Sequence, residues 1–217
     1  KSHVSASLAR NPEVMVFGAD NAQDLEANLD WPDAVVAGPG MFKNYWSEQI
    51  LYKLLVHVAD KNIPTLLDAG ALRLLSHKAF SKIKLHSEMV LTPHPGEAAE
   101  MLNIPVNEIQ KNRIKSVKAL QKKYGCIIVL KGNGTIVCNK NDAYLCSSGG
   151  PELAVAGSGD ILSGVIGSLM AQGLSPFDAA KTGVELHALA GAEFVKDVGR
   201  IGLAAGELIS YIRKFLN

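Results

Sequence analysis

Apolar positions in this chain fall into short unbroken runs, separated by longer stretches with helical spacing. The runs EVMVF (13–17), AVVAG (34–38), PTLLD (64–68), MVLT (89–92) and IIVLK (127–131) are continuous. Continuous rather than alternating runs predict strands covered on both faces. Between them, SEQILYKLLVHVADK (47–61) carries Ile50, Leu51, Leu54, Leu55 and Val58 on one helical stripe. NRIKSVKALQKKYG (112–125) ends in a lysine pair and a glycine, which is a helix stop signal. Strand and helix in alternation predict an α/β fold, with a central, mainly parallel sheet flanked by helices.

The pattern changes late in the chain. TIVC (135–138) and AYLC (143–146) flank the polar NKND and predict a β-hairpin. Everything beyond reads as helix. The stretch from Ser175 to Gly199 opens with Ser175, with Pro176 at the first helical position and with Asp178 three residues after the serine. That is a capping box with an acidic partner. No internal repeat, low-complexity tract or linker divides the sequence, so residues 1–217 are expected to form one domain.

Composition narrows the partners. The chain has 217 residues, 47% apolar and 20% charged, with a formal net charge of +1. A sizeable core is within reach at this length, and no global field draws the protein to nucleic acid or acidic lipid. No apolar run approaches the roughly 20 residues of a membrane helix. The opening KSHVSASLAR lacks the apolar core of a signal peptide. Cys126, Cys138 and Cys146 have no metal-ligand spacing and lie in apolar segments, as buried thiols of a reducing compartment do. A cytoplasmic protein is expected.

In a parallel sheet, ligands bind beyond the carboxyl ends of the strands. Five polar or glycine-rich turns fall there: GPG (38–40), DAG (68–70), TPHPGE (92–97), KGNGT (131–135) and GSGD (157–160). All five are expected to face one cleft. In GSGD, Gly157, Ser158 and Gly159 would present backbone N–H groups at the start of a helix beginning near Asp160. Free donors and the helix dipole together make an anion site. Asp160 beside it is positioned to take a proton from an attacking hydroxyl, though the same aspartate could simply cap the helix. In KGNGT, Lys131 and the loop Gly132, Asn133, Gly134 and Thr135 offer a cation and backbone donors to nucleotide phosphates. An ordinary NG turn is the other reading. In TPHPGE, two prolines bracket His94 and a helix starts near Gly96. Its functional reading has His94 against substrate and Glu97 helping to hold Mg²⁺ through water; its structural reading has Glu97 at the helix dipole and His94 in a loop. The remaining histidines, His3, His57, His77, His86 and His187, carry no pattern.

Together, VVAGPG, LLDAGAL, LTPHPGEAAEML, VLKGNGT and the long stretch from Gly149 to Gly191 resemble the ADP- or ATP-dependent NAD(P)H-hydrate dehydratases. These are metabolite-repair enzymes of the ribokinase-like superfamily. The resemblance runs from about residue 11 to the C-terminus. It implies a ribokinase-like fold and a substrate, hydrated NADH or NADPH, whose ring hydroxyl is phosphorylated by ADP or ATP with Mg²⁺ before phosphate leaves. It implies Asp160 as the base, which also contacts the hydrated dinucleotide together with Gly40 and His94. It implies Gly159 and Lys131–Thr135 as the nucleotide contacts, the latter at the adenylate part. A homo-oligomer, often a tetramer in that family, is implied as well.

Four positions depart from the family pattern: Gly150 stands for an asparagine, Glu152 for a glycine, Val155 for a threonine and Ala156 for a glycine. The family also carries an N-terminal glycine-rich strand–helix unit that touches substrate. It is not in this sequence, which opens on Lys1; a truncated chain, a processed one, or a unit supplied separately would each account for that. Two rival functions stay open: a ribokinase-like kinase of a small alcohol, against which TPHPGE speaks, and a nucleotide-binding module without activity.

Overall fold

The protein is described as a computed structural model covering residues 3–216. In chain order its elements begin with helices α1 (Val4–Arg10) and α2 (Ala22–Glu26), strand β1 (Val35–Ala37), helix α3 (Tyr45–Lys61), strand β2 (Thr65–Leu67), helix α4 (Ala69–Leu75) and strand β3 (Met89–Leu91). Helices α5 (Pro95–Leu102), α6 (Val106–Lys111) and α7 (Arg113–Tyr124) follow, then strands β4 (Ile127–Leu130), β5 (Thr135–Cys138) and β6 (Ala143–Cys146). Helices α8 (Ser158–Ala171), α9 (Pro176–Asp197) and α10 (Leu208–Lys214) complete it.

The six strands form one sheet in the order β1-β2-β3-β4-β5-β6. The first four are parallel, and β4-β5-β6 is antiparallel. The mainly parallel sheet, the late hairpin and the helical C-terminal part are as the sequence predicts. Why the strand runs are continuous is visible in the two cores. Leu67, Leu91, Ile128 and Leu130 pack with α3, α4, α5 and α7 on one face. Their neighbours Leu66, Val90, Ile127 and Val129 pack with α8, α9 and α10 on the other. Side chains alternate across a strand, and helices cover both faces, so every position is apolar.

One predicted strand is absent. Residues 13–17 form no strand, and Val14, Met15 and Phe17 are exposed. Apolar residues make a strand only where a neighbouring strand takes up their backbone groups, and in the structure the sheet has its edge at β1. Phe17 instead meets Trp31 edge to face, with ring centroids 6.2 Å apart.

Candidate active site

Hydrogen bonds continue past the strand ends and set the loops side by side. Asp68 N–H donates to the Ala37 carbonyl (3.0 Å), Thr92 N–H to Leu67 (3.1 Å) and Lys131 N–H to Pro93 (2.9 Å). The turns after β2, β3 and β4 therefore lie in a row. With the start of α8 they enclose a cavity of about 830 Å³. Its walls include His94 and Glu97, all of Lys131–Thr135, and all of Gly157–Asp160. Four of the five expected turns thus meet. The fifth does not contribute: Gly40 is exposed and is not part of the cavity wall. Its turn instead packs down on the neighbouring one. A Cβ on Gly38 would lie 1.8 Å from the Asp68 carbonyl oxygen, and one on Gly70 would lie 2.1 Å from that of Met41. Both positions must be bare for the two backbones to approach this closely.

Helix α8 begins at Ser158, two residues ahead of the expected start, with Gly157 as N-cap at φ +84°. Among the described residues, the N–H groups of Gly159 and Asp160 donate to no protein acceptor. The Ser158 N–H does not share this freedom, because the chain folds back so that it donates to the Val155 carbonyl at 3.2 Å. The open donors among the described residues are therefore at Gly157, Gly159 and Asp160; of the three residues of the GSG turn, only Ser158 drops out. The Asp160 carboxylate is exposed, caps no helix N–H, and none of its hydrogen bonds or ion pairs is found among the described residues. The capping reading of Asp160 is not what the structure shows.

His94 and Glu97 cap α5 jointly. The His94 Nδ1 accepts from the N–H groups of Gly96 (3.0 Å) and Glu97 (3.3 Å), and the His94 N–H donates to Glu97 Oε2 (2.9 Å). Pro95 sits at the first helical position, where its fixed φ and missing N–H are harmless. Glu97 Oε1 lies 3.3 Å from His94 Nε2. The Glu97 carboxylate is buried and turned onto His94, while the imidazole remains half exposed at the cavity wall. A water-mediated Mg²⁺ contact would have to share a carboxylate already occupied on both oxygens. Among the described residues no group of three or more His, Cys, Asp or Glu is placed to hold a metal.

The KGNGT loop is propped from outside the cavity. The Arg113 guanidinium, at the start of α7, donates through Nη2 to the carbonyls of Leu130 (3.0 Å), Lys131 (3.2 Å) and Gly134 (3.0 Å). Burial lowers the Arg113 pKa from its ordinary value, yet an arginine keeps its charge at neutral pH. Gly132 at φ +131° and Gly134 at φ +67° turn the loop, and Thr135 Oγ1 closes it onto the Gly132 carbonyl (3.1 Å).

Three residues of the site have roles that no local sequence signal announces, although Asp68 lies in the DAG turn expected at the cleft. Arg113 is one. Asp68 is another: fully buried, it caps α4 by accepting from the Ala69 N–H (2.8 Å) and takes Lys131 Nζ (2.7 Å) and Ser163 Oγ (2.8 Å). The third is His187, whose Nε2 lies 3.0 Å from Ser158 Oγ and 3.1 Å from the Ser158 carbonyl. Burial, with the Lys131 charge nearby, pushes its pKa down to about 4 although the bond to the Ser158 carbonyl works the other way. His187 is therefore neutral at pH 7 and braces the start of α8 without adding charge. Of the four departures, two are neighbours in space: a Cβ at residue 150 would lie 2.6 Å from Oε2 of the buried Glu152.

Comparison with known proteins places this arrangement. The model of the NAD(P)H-hydrate dehydratase family matches residues 1–214. The chain is 38% identical over 216 residues to a bifunctional NAD(P)H-hydrate repair enzyme of Coxiella burnetii, covering 99% of this chain and 43% of that protein. It is 38% identical to the ADP-dependent (S)-NAD(P)H-hydrate dehydratase of Neisseria meningitidis, covering 98% of this chain and 71% of that one. The crystal structure of the ADP/ATP-dependent NAD(P)H-hydrate dehydratase of Bacillus subtilis, co-crystallised with ATP and Mg²⁺, superposes with a TM-score of 0.82 at 27% identity, over 99% of this chain and 75% of that one. The chain thus spans less than half the length of the bifunctional relative and most of the length of the other two. With the ribokinase-like fold, the turns meeting at the strand ends and a family model that spans nearly the whole sequence, the chain belongs to the NAD(P)H-hydrate dehydratase family.

Proposed function

We propose that this chain dehydrates hydrated NADH or NADPH, with ADP or ATP as phosphoryl donor. The observation that carries the reading is the start of α8. An unpaired carboxylate, Asp160, stands beside two open N–H donors in the cavity that also holds the KGNGT loop. The donor lies along Lys131, Gly132, Asn133, Gly134 and Thr135, with its terminal phosphate at Gly157, Ser158 and Gly159. The hydrated dinucleotide approaches over His94 and Asp160, with Gly40 at the rim.

Asp160 accepts the proton of the ring hydroxyl as its oxygen forms a bond to the terminal phosphorus. The bond from that phosphorus to the nucleotide breaks, leaving AMP from ADP or ADP from ATP. A proton then leaves the adjacent ring carbon to solvent, its C–H bonding pair forms the ring double bond, and the phosphate departs with the C–O bonding pair. Phosphate is a far better leaving group than hydroxide. The N–H groups of Gly159 and Asp160 stabilise charge on the phosphoryl oxygens during transfer. Mg²⁺, when bound, neutralises phosphate charge; it would be carried mainly by the donor's own phosphates, with Asp160 the available carboxylate and Glu97 contributing only through water.

The same reading takes residues 1–217 as one domain of a cytoplasmic homo-oligomer, a tetramer by family analogy. Exposed Met15, Phe17, Phe42 and Tyr45 supply apolar surface for association, and three buried free thiols suit a reducing compartment. Among the described residues no helix is long and apolar enough to cross a membrane.

The test is incubation of the chain with hydrated NADH, Mg²⁺ and ADP or ATP, following the return of reduced nicotinamide absorbance. Asp160→Asn should lower kcat by roughly 10²–10⁴-fold, the usual worth of a general base, while ADP affinity changes little. Near-normal turnover in that variant would remove Asp160 from the chemistry. ADP binding without turnover by the unaltered chain would favour a binding module.

A further inference from the structure

We propose that Asp68 is a positioning residue that holds the Lys131 ammonium at the start of α8, so that Lys131 faces the terminal phosphate of the donor rather than its adenylate end. The inference rests on the nucleotide-binding part of the reading above. It assigns Asp68 a role and moves Lys131 from one end of the donor to the other.

The position of Lys131 Nζ is fixed from two sides. It is 2.7 Å from Asp68 Oδ1 and would lie 3.2 Å from a Cβ on Gly159, which would also be 3.6 Å from Asp68 Oδ2. The ammonium therefore abuts the residue whose N–H is open at the mouth of α8. Asp68 cannot move to follow it. It is 1% exposed and is tied to the N–H of Ala69 in α4 and to the hydroxyl of Ser163 in α8. One carboxylate thus joins the end of β2, the end of β4 and the body of α8.

An ammonium has three donors. In the structure one of them goes to Asp68, and Lys131 lines the cavity, so two are available to a ligand there. A nucleoside diphosphate brings an acceptor-rich anion to the same spot as the Gly159 and Asp160 N–H groups. A lysine with a flexible stem is a poor fixed charge; a buried partner that restricts it converts it into a preorganised one. Nothing in the local sequence joins the two residues, which are 63 positions apart.

The experiment is a double-variant cycle on binding, read as the ratio of the AMP to the ADP dissociation constant by calorimetry. That ratio isolates the terminal phosphate and needs no turnover. Lys131→Met should lower it about tenfold, as loss of a charged hydrogen bond does. Asp68→Asn, which keeps the shape of the side chain, should lower it about threefold when Lys131 is present. Added to the Lys131→Met variant it should leave the ratio unchanged, because it acts through the lysine. Ser163→Ala, which loosens Asp68 from the other side, should follow the same rule more weakly and serves if Asp68→Asn does not fold. Thermal melting of each variant establishes that the folded protein is being titrated.

Three results overturn the inference: an ADP preference that survives Lys131→Met, a change from Asp68→Asn that is the same in both backgrounds, or no preference for ADP in the starting chain. If the ratios behave as stated while hydrated NADH is not dehydrated, the reaction assigned above fails and this inference stands. If dehydration proceeds and Lys131→Met leaves the ratio untouched, the inference alone fails.

Discussion

The KGNGT loop after β4 and the GPG turn after β1 follow two parallel strands of the same sheet, with β2 and β3 between them, yet they are held by opposite means. KGNGT is held by a side chain that reaches it from elsewhere: Arg113 ties two of its carbonyls, Lys131 and Gly134, and that of Leu130 just before it. GPG is held through the lack of side chains, since Gly38 and Gly70 let backbone rest on backbone. Around the first lie fully buried β4 residues; around the second lie exposed Phe42 and Tyr45. The KGNGT end is thus held by polar ties, which fix a loop and can be loosened one bond at a time. The GPG turn is set by steric fit, which tolerates no added atom where it is tight and any where it is open. The two kinds of construction predict different responses to the smallest substitutions.

The largest response should come at the GPG turn. Gly38 has φ +125° and would place a Cβ 1.8 Å from a backbone oxygen, so Gly38→Ala must push the GPG turn off Asp68. A loss of about 3 kcal/mol or more is expected from overpacking and backbone strain together. Gly40, two residues on, has φ +74° and open space around it. Gly40→Ala should cost only about 1 kcal/mol, the left-handed penalty by itself. Denaturant melts of the two variants measure the contrast. Comparable losses would show that the turn is not held by fit.

The next response separates the two ends by pH. His187 lines the cavity with the KGNGT loop and has its pKa pushed from 6.5 to about 4 by burial. Between those values the unfolded chain binds a proton that the folded protein refuses. Stability therefore falls as pH drops through that window, by about 2 kcal/mol at pH 5 from this group, at roughly 1.4 kcal/mol per pKa unit. His187→Gln should flatten the decline in Tm from pH 7 to pH 5 while retaining a polar contact to Ser158. An unchanged decline would mean that His187 takes up its proton without cost, and that the start of α8 is not braced as described.

These contrasts also show what the sequence could and could not disclose. The strands β2 to β4 are legible because Leu66, Leu67, Val90, Leu91 and Ile127–Leu130 must be apolar on two faces at once. The run at 13–17 misleads because its apolar content says nothing of a partner strand. The helix stop at Gly125 is legible, since that residue takes φ +74° at the C-cap. In TPHPGE the sequence shows a helix start and an acidic first turn, but not that a histidine would be the cap. Asp68, Arg113 and His187 stay hidden for one reason. Their partners are 63, 17 to 21 and 29 residues away, and a lone Asp after a strand, or a lone Arg on a helix, has no period or spacing to reveal it. The glycine-rich start of α8 is legible in outline, whereas the loss of the Ser158 donor to Val155 depends on how the chain enters the turn.

The smallest response expected is at Arg113, and it tests the polar half of the comparison directly. Arg113→Met keeps a stem of similar length and removes the guanidinium. The carbonyls of Leu130, Lys131 and Gly134 then lose their shared donor, and water can replace it at Lys131 and Gly134, which are partly exposed. Global stability should therefore change little. What is lost is the fixed shape of the loop before nucleotide arrives, and ordering it must then be drawn from the binding energy. ADP affinity should fall about tenfold, or about 1.4 kcal/mol. AMP affinity should fall equally, since the loop rather than the terminal phosphate is affected. That equality sets Arg113 apart from Lys131, whose loss should act on ADP alone. Arg113→Lys should restore little, because an ammonium cannot span three carbonyls from one fixed plane. A fall confined to ADP would place Arg113 with the phosphate machinery and dissolve the distinction between propping the loop and meeting the charge.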